Sequence, residues 1–235
     1  DLDAQDEVAS TGRANPSECI LPEVFLFALR RLNPQIDDEI LKNILQDFRK
    51  DYSGTDMVDT NYKFYNQIRN GIKVKTRNQH REDFDIVKLI DFDHPERNEF
   101  HCVNQMWIKG HFRYRRPDVL LFVNGLPVVF IELKNSTVKI EESYNKNLVS
   151  YRKDIPNIFA MNQICVLSNG LQTKIGAWNA GYEFFFEWLR VNNEKEKLNR
   201  EEIAEHGLSI QTLIDGLFRK ERLLDYIENF VFFDN

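Results

Sequence analysis

No apolar run in this sequence approaches the roughly 18 to 20 residues that a membrane-spanning helix needs, which excludes that class. Glycine and proline are scarce, ten and seven in 235 residues, so collagen-like and low-complexity chains are excluded as well. Cys19, Cys102 and Cys165 lie far apart with no C-x-x-C, which leaves neither a zinc site nor a disulfide framework and points to a reducing, cytoplasmic compartment. The five histidines show no paired-ligand spacing. There is no G-x-x-x-x-G-K-[ST], so no P-loop motor is encoded here. An excess of basic charge is missing too: the net charge of −6 argues against a stand-alone DNA-coating protein.

What is present is a globular composition, 42% hydrophobic and 29% charged, sized for one compact domain or a domain with an appendage. The charge is unevenly spread. Residues 1–60 carry −7, residues 61–180 carry +6 and residues 181–235 carry −5, so a basic middle can present a phosphate-binding face between acidic ends. The chain starts on Asp1 without a charged-then-apolar leader and stops on the apolar Val231-Phe232-Phe233, and it reads as cut from something longer.

Residues 1–16 are polar and read as a mobile arm. Apolar residues at helical spacing predict a helix from about Ser17 to the Asn33-Pro34 stop, a second over Ile36 to Phe48 and a short third around Tyr62 to Ile68, together a helical cap. Strand texture follows at Ile72 to Lys75, Phe84 to Asp91, Phe100 to Ile108, Phe112 to Tyr114, Val119 to Val123 and Val128 to Leu133. A helix over Ile140 to Lys153, strands over Gln163 to Leu167 and on to Trp178, and a short aromatic helix at Glu183 to Leu189 complete a mixed α/β order. Residues 192–206 read as a linker, and Leu208 to Phe233 as one or two helices.

The chemistry lies in Arg116-Pro117-Asp118 and Ile131-Glu132-Leu133-Lys134. Asn124-Gly125, almost midway between the acids, is a hairpin signal. Phosphodiester hydrolysis needs a divalent cation, and a hard cation wants carboxylate oxygens, which Asp118 and Glu132 supply. Lys134, two residues on, shares the face of Glu132. A plain two-residue turn with regular pairing sets Asp118 opposite Ile131 and sends Glu132 to the other face, so an odd-length connection or a bulge is required. Two such acids on one buried face predict a raised pKa for at least one of them. The alternative is a strand-end cap at Asp118 with Glu132 and Lys134 solvated on an edge. Lys109, His111, Arg113 and Arg115 alternate and offer either a face that tracks phosphates or a solvated edge.

The segment from Arg116 through Asn124-Gly125-Leu126-Pro127 to Asn135 closely resembles the PD-(D/E)xK nuclease segment of the R subunit of type I restriction enzymes, over twenty contiguous positions. Flanking likeness at Asn98 to Gln105, Tyr151 to Phe159 and Ser168-Asn169-Gly170 extends it over nearly the whole chain from Ile20. The resemblance implies a restriction-endonuclease-like α/β fold: a mixed central sheet flanked by helices, an N-terminal helical cap and C-terminal helices. The nuclease domain would span residues 17–190, with residues 191–235 leading toward a motor domain not in this chain.

It implies that Asp118, Glu132 and the Leu133 carbonyl bind Mg²⁺, for which Mn²⁺ can substitute, while Lys134 orients or activates water. Related nucleases carry Q-x-x-x-Y on the next helix; here the positions read Asn147 and Tyr151, the former one methylene short. An acid from the first helix joins some such sites, and Glu18 and Glu23 are the candidates, each otherwise a solvated residue. Implied partners are double-stranded DNA and the methylation and specificity subunits, with ATP entering only through the missing motor, in a bacterial or archaeal cytoplasm. Two alternatives remain: another PD-(D/E)xK nuclease acting in repair or at transposon ends, and an inactive DNA-binding or docking module.

Overall fold

The computed structural model describes residues 8–78, 81–192, 195–196 and 209–233. Three helices come first: α1 (Pro22–Leu32), α2 (Asp38–Phe48) and α3 (Met57–Asn70). α1 begins later than Ser17 because Pro22, with no N–H to satisfy, suits a first helical turn. Leu21 before it is held extended, its N–H donating to the Gly125 carbonyl at 2.9 Å. Asp37 caps α2 by accepting from the Glu39 N–H, and Asp56 caps α3 by accepting from Val58 and Asp59.

Ten strands follow. β1 (Ile72–Asn78) and β2 (Arg81–Val87) pair as a separate antiparallel ribbon, so two segments read as strands of the core lie off the main sheet. The main sheet is built from β3 (Phe100–Asn104), β6 (Val119–Val123), β7 (Leu126–Leu133), β8 (Ile164–Ser168), β9 (Thr173–Gly176) and β10 (Phe186–Glu187), in the order β10-β9-β8-β7-β6-β3. β4 (Ile108–Lys109) and β5 (Tyr114–Arg115) form a small hairpin of their own. Among the described residues only β7 and β8 run parallel; the crossover between them carries helix α4 (140–154), as a parallel step requires. The mixed sheet with flanking helices fits the restriction-endonuclease-like α/β class.

The aromatic helix expected at 183–189 is absent: a 3₁₀ turn, Tyr182–Phe184, leads into β10. Phe184 and Phe186 point outward while Phe185, 3% exposed, lies over Gly176, a period of two that belongs to a strand. Two C-terminal helices, α5 (Ser209–Gly216) and α6 (Lys220–Asn229), agree with the reading of 208–233. The 192–206 linker lies largely outside the described residues, as do residues 1–7 of the arm. Residues 8–16 pack: Val8 and Arg13 are buried, and Arg13 donates to the carbonyls of Glu18 and Trp107.

The sheet has two apolar faces. One packs against α1, α2, α3, α5 and α6 through Val123, Leu126, Val128, Val129, Ile131 and Val166. The other packs against α4 and the turn after it through Leu120, Phe122, Phe130, Cys165 and Leu167. Strand alternation is strict in β6 but slips once in β7, where Val128 and Val129 both face the first layer. Val128 is the cause. Leu121 pairs with Val129 and Phe122 with Pro127, so Val128 is a bulge residue, and its carbonyl accepts instead from the Gln163 N–H at 2.8 Å.

Candidate active site

The bulge decides where the acids go. Asn124 (φ +49) and Gly125 (φ +83) form the plain two-residue turn, which alone would misplace Glu132. One extra residue at Val128 restores the even register: Val119 faces Ile131, and Asp118 is therefore brought level with Glu132 on the α4 side of the sheet. The sequence demanded a bulge or an odd connection; the structure supplies the bulge, away from the turn.

Glu132 is only 1% exposed. Its Oε1 accepts from Lys134 Nζ at 2.5 Å, and its Oε2 is buried with no hydrogen-bond partner. Burial is the main force raising its pKa and the nearby Asp118 charge adds to the rise, while Lys134 and the neighbouring Tyr151 hydroxyl work against it. Asp118 is half-buried at the strand entrance; its Oδ2 accepts from the Leu133 N–H and its Oδ1 from Gln105 Nε2, each at 2.8 Å. The Lys134 ammonium also donates to the Leu133 carbonyl at 3.2 Å. Glu132 and Leu133 O, two of the three expected ligands, thus share one ammonium, and the third, Asp118, is bonded to the peptide N–H between them.

Tyr151 of α4 packs on Phe130, with ring centroids 5.3 Å apart. Its hydroxyl is pushed well above the usual phenol range by burial and by the charges of Glu132 and Asp118, while the Asn147 side chain acts against that shift. Asn147 and Tyr151 therefore meet beside Glu132, helped by a π-helical stretch, Ser143–Leu148, within α4.

Lys109, His111, Arg113 and Arg115 do not alternate along one strand face. β4 ends at Lys109, and His111, Phe112 and Arg113 make an exposed turn instead of strand positions. Arg115 is bound to Asp154, its Nε at 2.7 Å, with its guanidinium 5.9 Å above the Tyr151 ring. Nor, among the described residues, does an acid join from the N-terminal segment. Glu18 precedes α1 and is not solvated: it is buried, paired with Arg49 at 2.8 Å and accepting from the Ala14 N–H. Glu23 is exposed on the first turn of α1 and lies against Gly12. Among the described residues no group of three His, Cys, Asp or Glu side chains gathers that could hold a metal ion.

Gln105 was not singled out from the sequence. It holds Asp118 twice, its own N–H donating to the Asp118 carbonyl at 2.9 Å and its side chain to Oδ1, from a positive φ of 56°. No sequence pattern marks a left-handed glutamine, and only the turn back into β6 explains it.

The sequence profile of a family described as the N terminus of type I restriction enzyme R proteins matches residues 2–184. The chain belongs to that family. It is 33% identical, over 94% of its length, to the type I restriction enzyme HindI endonuclease subunit of Haemophilus influenzae. It is 30% identical, again over 94%, to a putative type I restriction enzyme endonuclease subunit, MjaIXP, of Methanocaldococcus jannaschii. The match covers 21% and 23% of those proteins, so the chain spans about a fifth of the length of these curated relatives. As an R-protein N terminus, it carries the Asp118, Glu132 and Lys134 cluster inside the matched region. Among the described residues no helix is long and apolar enough to cross a membrane.

Proposed function

We propose that this chain is the Mg²⁺-dependent endonuclease domain of a type I restriction enzyme R subunit, hydrolysing phosphodiester bonds of unmodified foreign DNA inside a larger ATP-dependent complex. The observation that carries this reading is the orphaned Oε2 of Glu132. A buried carboxylate oxygen without a partner is costly, and a cation explains its retention better than a structural role does. The donor set, two carboxylates and the Leu133 carbonyl, is the all-oxygen kind a hard divalent ion prefers.

Asp118, Glu132 and the Leu133 carbonyl would hold the metal. When bound, it would supply positive charge to polarise the phosphodiester and lower the pKa of the attacking water. Asp118 is pre-aimed by Gln105 and the Leu133 N–H. Lys134 gives up its bonds to Glu132 and Leu133 and donates to the attacked phosphate or to the water, stabilising charge that grows in the transition state. Tyr151 fixes the wall behind Glu132, and Asn147 steadies its hydroxyl. Sequence recognition and methylation belong to partner subunits and translocation to an ATP motor, none of them encoded by these residues.

The test is plasmid cleavage by the reconstituted complex carrying this domain. Cleavage is expected to require Mg²⁺ or Mn²⁺ and to fail in Asp118→Asn, Glu132→Gln and Lys134→Ala. Normal cleavage by any one of these would remove that residue from the mechanism.

A further inference from the structure

Between Met106 and Pro117 the chain has no acidic residue and carries Lys109, His111, Arg113, Arg115 and Arg116. This stretch is the β4–β5 hairpin, which enters the active site directly through Arg116-Pro117-Asp118. Its base is anchored on several sides. Met106 and Ile108 are buried, the Lys109 N–H donates to the Pro16 carbonyl at 2.9 Å, and Arg115 is tied to Asp154. At Gly110 the backbone lies so close to α4 that an added Cβ would sit 1.7 Å from the Asp154 carbonyl oxygen. Arg116 stacks over Trp107 at 5.0 Å.

The tip contrasts with that base. Phe112 is 93% exposed, the most open of the large apolar side chains among the described residues, and lies beside the His111 ring, centroids 5.5 Å apart. Lys109 and Arg113 flank it and are exposed. A solvent-facing phenylalanine on an anchored turn, ringed by cations, suits a ligand that offers both phosphates and a π-surface. Asp118 is six residues on from Phe112, so the two lie no more than about 20 Å apart, the length of about six base pairs. One duplex can touch both.

We propose that the β4–β5 hairpin is a DNA-contact arm in which Lys109 and Arg113 hold phosphates and Phe112 wedges against the base stack beside the scissile bond. An apolar wedge of this kind unstacks a base step and kinks the duplex, and its binding is tolerant of sequence because every base has a π-face. This deepens the nuclease reading, which it needs for its ligand class, but it is tested without catalysis.

The test titrates a short duplex containing 2-aminopurine, whose emission rises on unstacking, with the 235-residue chain in EDTA at low salt. The wild-type chain is expected to raise the fluorescence. Phe112→Ala is expected to abolish the rise and to weaken binding by at least about fivefold, while Phe112→Trp retains both. Lys109→Ala and Arg113→Ala are expected each to lower the salt dependence by about one counterion. Thermal melts check that the variants fold; since Phe112 is exposed, they are expected to match wild type, and Phe112→Trp serves as the folded comparison if Phe112→Ala does not.

A wild-type chain that leaves the fluorescence unchanged overturns the proposal. So does a folded Phe112→Ala that binds and unstacks DNA like wild type, including one whose only defect is weaker association with another subunit of the complex. Failure of the nuclease reading would show elsewhere, as metal-independent or Lys134-independent cleavage by the complex, and would leave the EDTA result unchanged.

Discussion

The two ends of the β6–β7 hairpin bury polar side chains to a similar degree and treat them in opposite ways. At the turn, Asn124 is fully buried and saturated: its Oδ1 accepts from the Glu99 N–H, and its Nδ2 donates to the Leu89 carbonyl and to Asn98 Oδ1. At the open end, Glu132 is equally enclosed but keeps one oxygen bare and its charge only partly offset. A residue that serves the fold has its hydrogen bonds closed by the protein. One that serves chemistry leaves a valence for a visitor, and the protein tolerates the cost.

The largest effect expected from this contrast is on rate. Lys134→Ala at the open end is expected to lower DNA cleavage by the full complex on the order of 10² to 10³ or more, with ATP hydrolysis and assembly intact. A drop of only a few-fold would mean that the open end is not where the chemistry happens.

Next is stability at the turn. Asn124→Ala leaves several buried partners unsatisfied and is expected to cost about 3 kcal/mol or more, seen as a lower urea midpoint in EDTA. The folded fraction should still respond to metal. If the loss is small, the saturation of the turn is ornamental and the comparison breaks.

Third is the metal response. A divalent ion that binds only the folded chain should add about 2.7 kcal/mol at a hundredfold excess over its Kd, and Glu132→Gln should remove that gain. The same variant sharpens the pH argument. Because the Glu132 pKa is raised above its ordinary 4.5, its neutral form favours the fold at low pH, and that contribution is lost as pH climbs through the raised value. In EDTA, Glu132→Gln should therefore lose less stability than wild type between about pH 4.5 and neutrality. Melts across that window decide it; parallel curves would mean that Glu132 is not strained.

The smallest effect is expected at Asn147, whose role is to steady the Tyr151 hydroxyl. Asn147→Ala should lower cleavage by a few-fold without a change in melting temperature, and a variant that is less stable but as active per folded molecule would make Asn147 a helix-surface residue.

How far the sequence revealed this depended on the range of the forces involved. The continuous apolar runs of β6 and β7 and the parity argument that demanded a bulge are local and were legible. The position of the bulge was not, because it is fixed by the Gln163 N–H, distant in sequence. The burial of Glu18 depends on Arg49, just after α2, and the separation of β1 and β2 from the main sheet is likewise a matter of distant pairing. Alternation at Lys109, His111, Arg113 and Arg115 misled because Gly110 approaches α4 closely enough to force a turn. The site motif was legible as a set of residues; Gln105, which aims Asp118, was not.

The Val128 bulge makes the hairpin a ruler with a fixed zero. Gly125 is that zero, since a Cβ there would sit 2.6 Å from the Leu21 carbonyl oxygen and 2.8 Å from the Phe25 nitrogen. With the turn pinned against α1, the hairpin cannot absorb an added or lost residue by sliding. A single deletion in β7 between the bulge and Glu132 would leave the turn and the bulge sound, yet it would move every side chain beyond it by half a period. Glu132 would then meet the helical layer of α1 to α3 instead of Asp118. One residue that does nothing in the ladder therefore sets the phase of the edge that carries Asp118 and Glu132, and the spacing of fourteen between the acids records its presence.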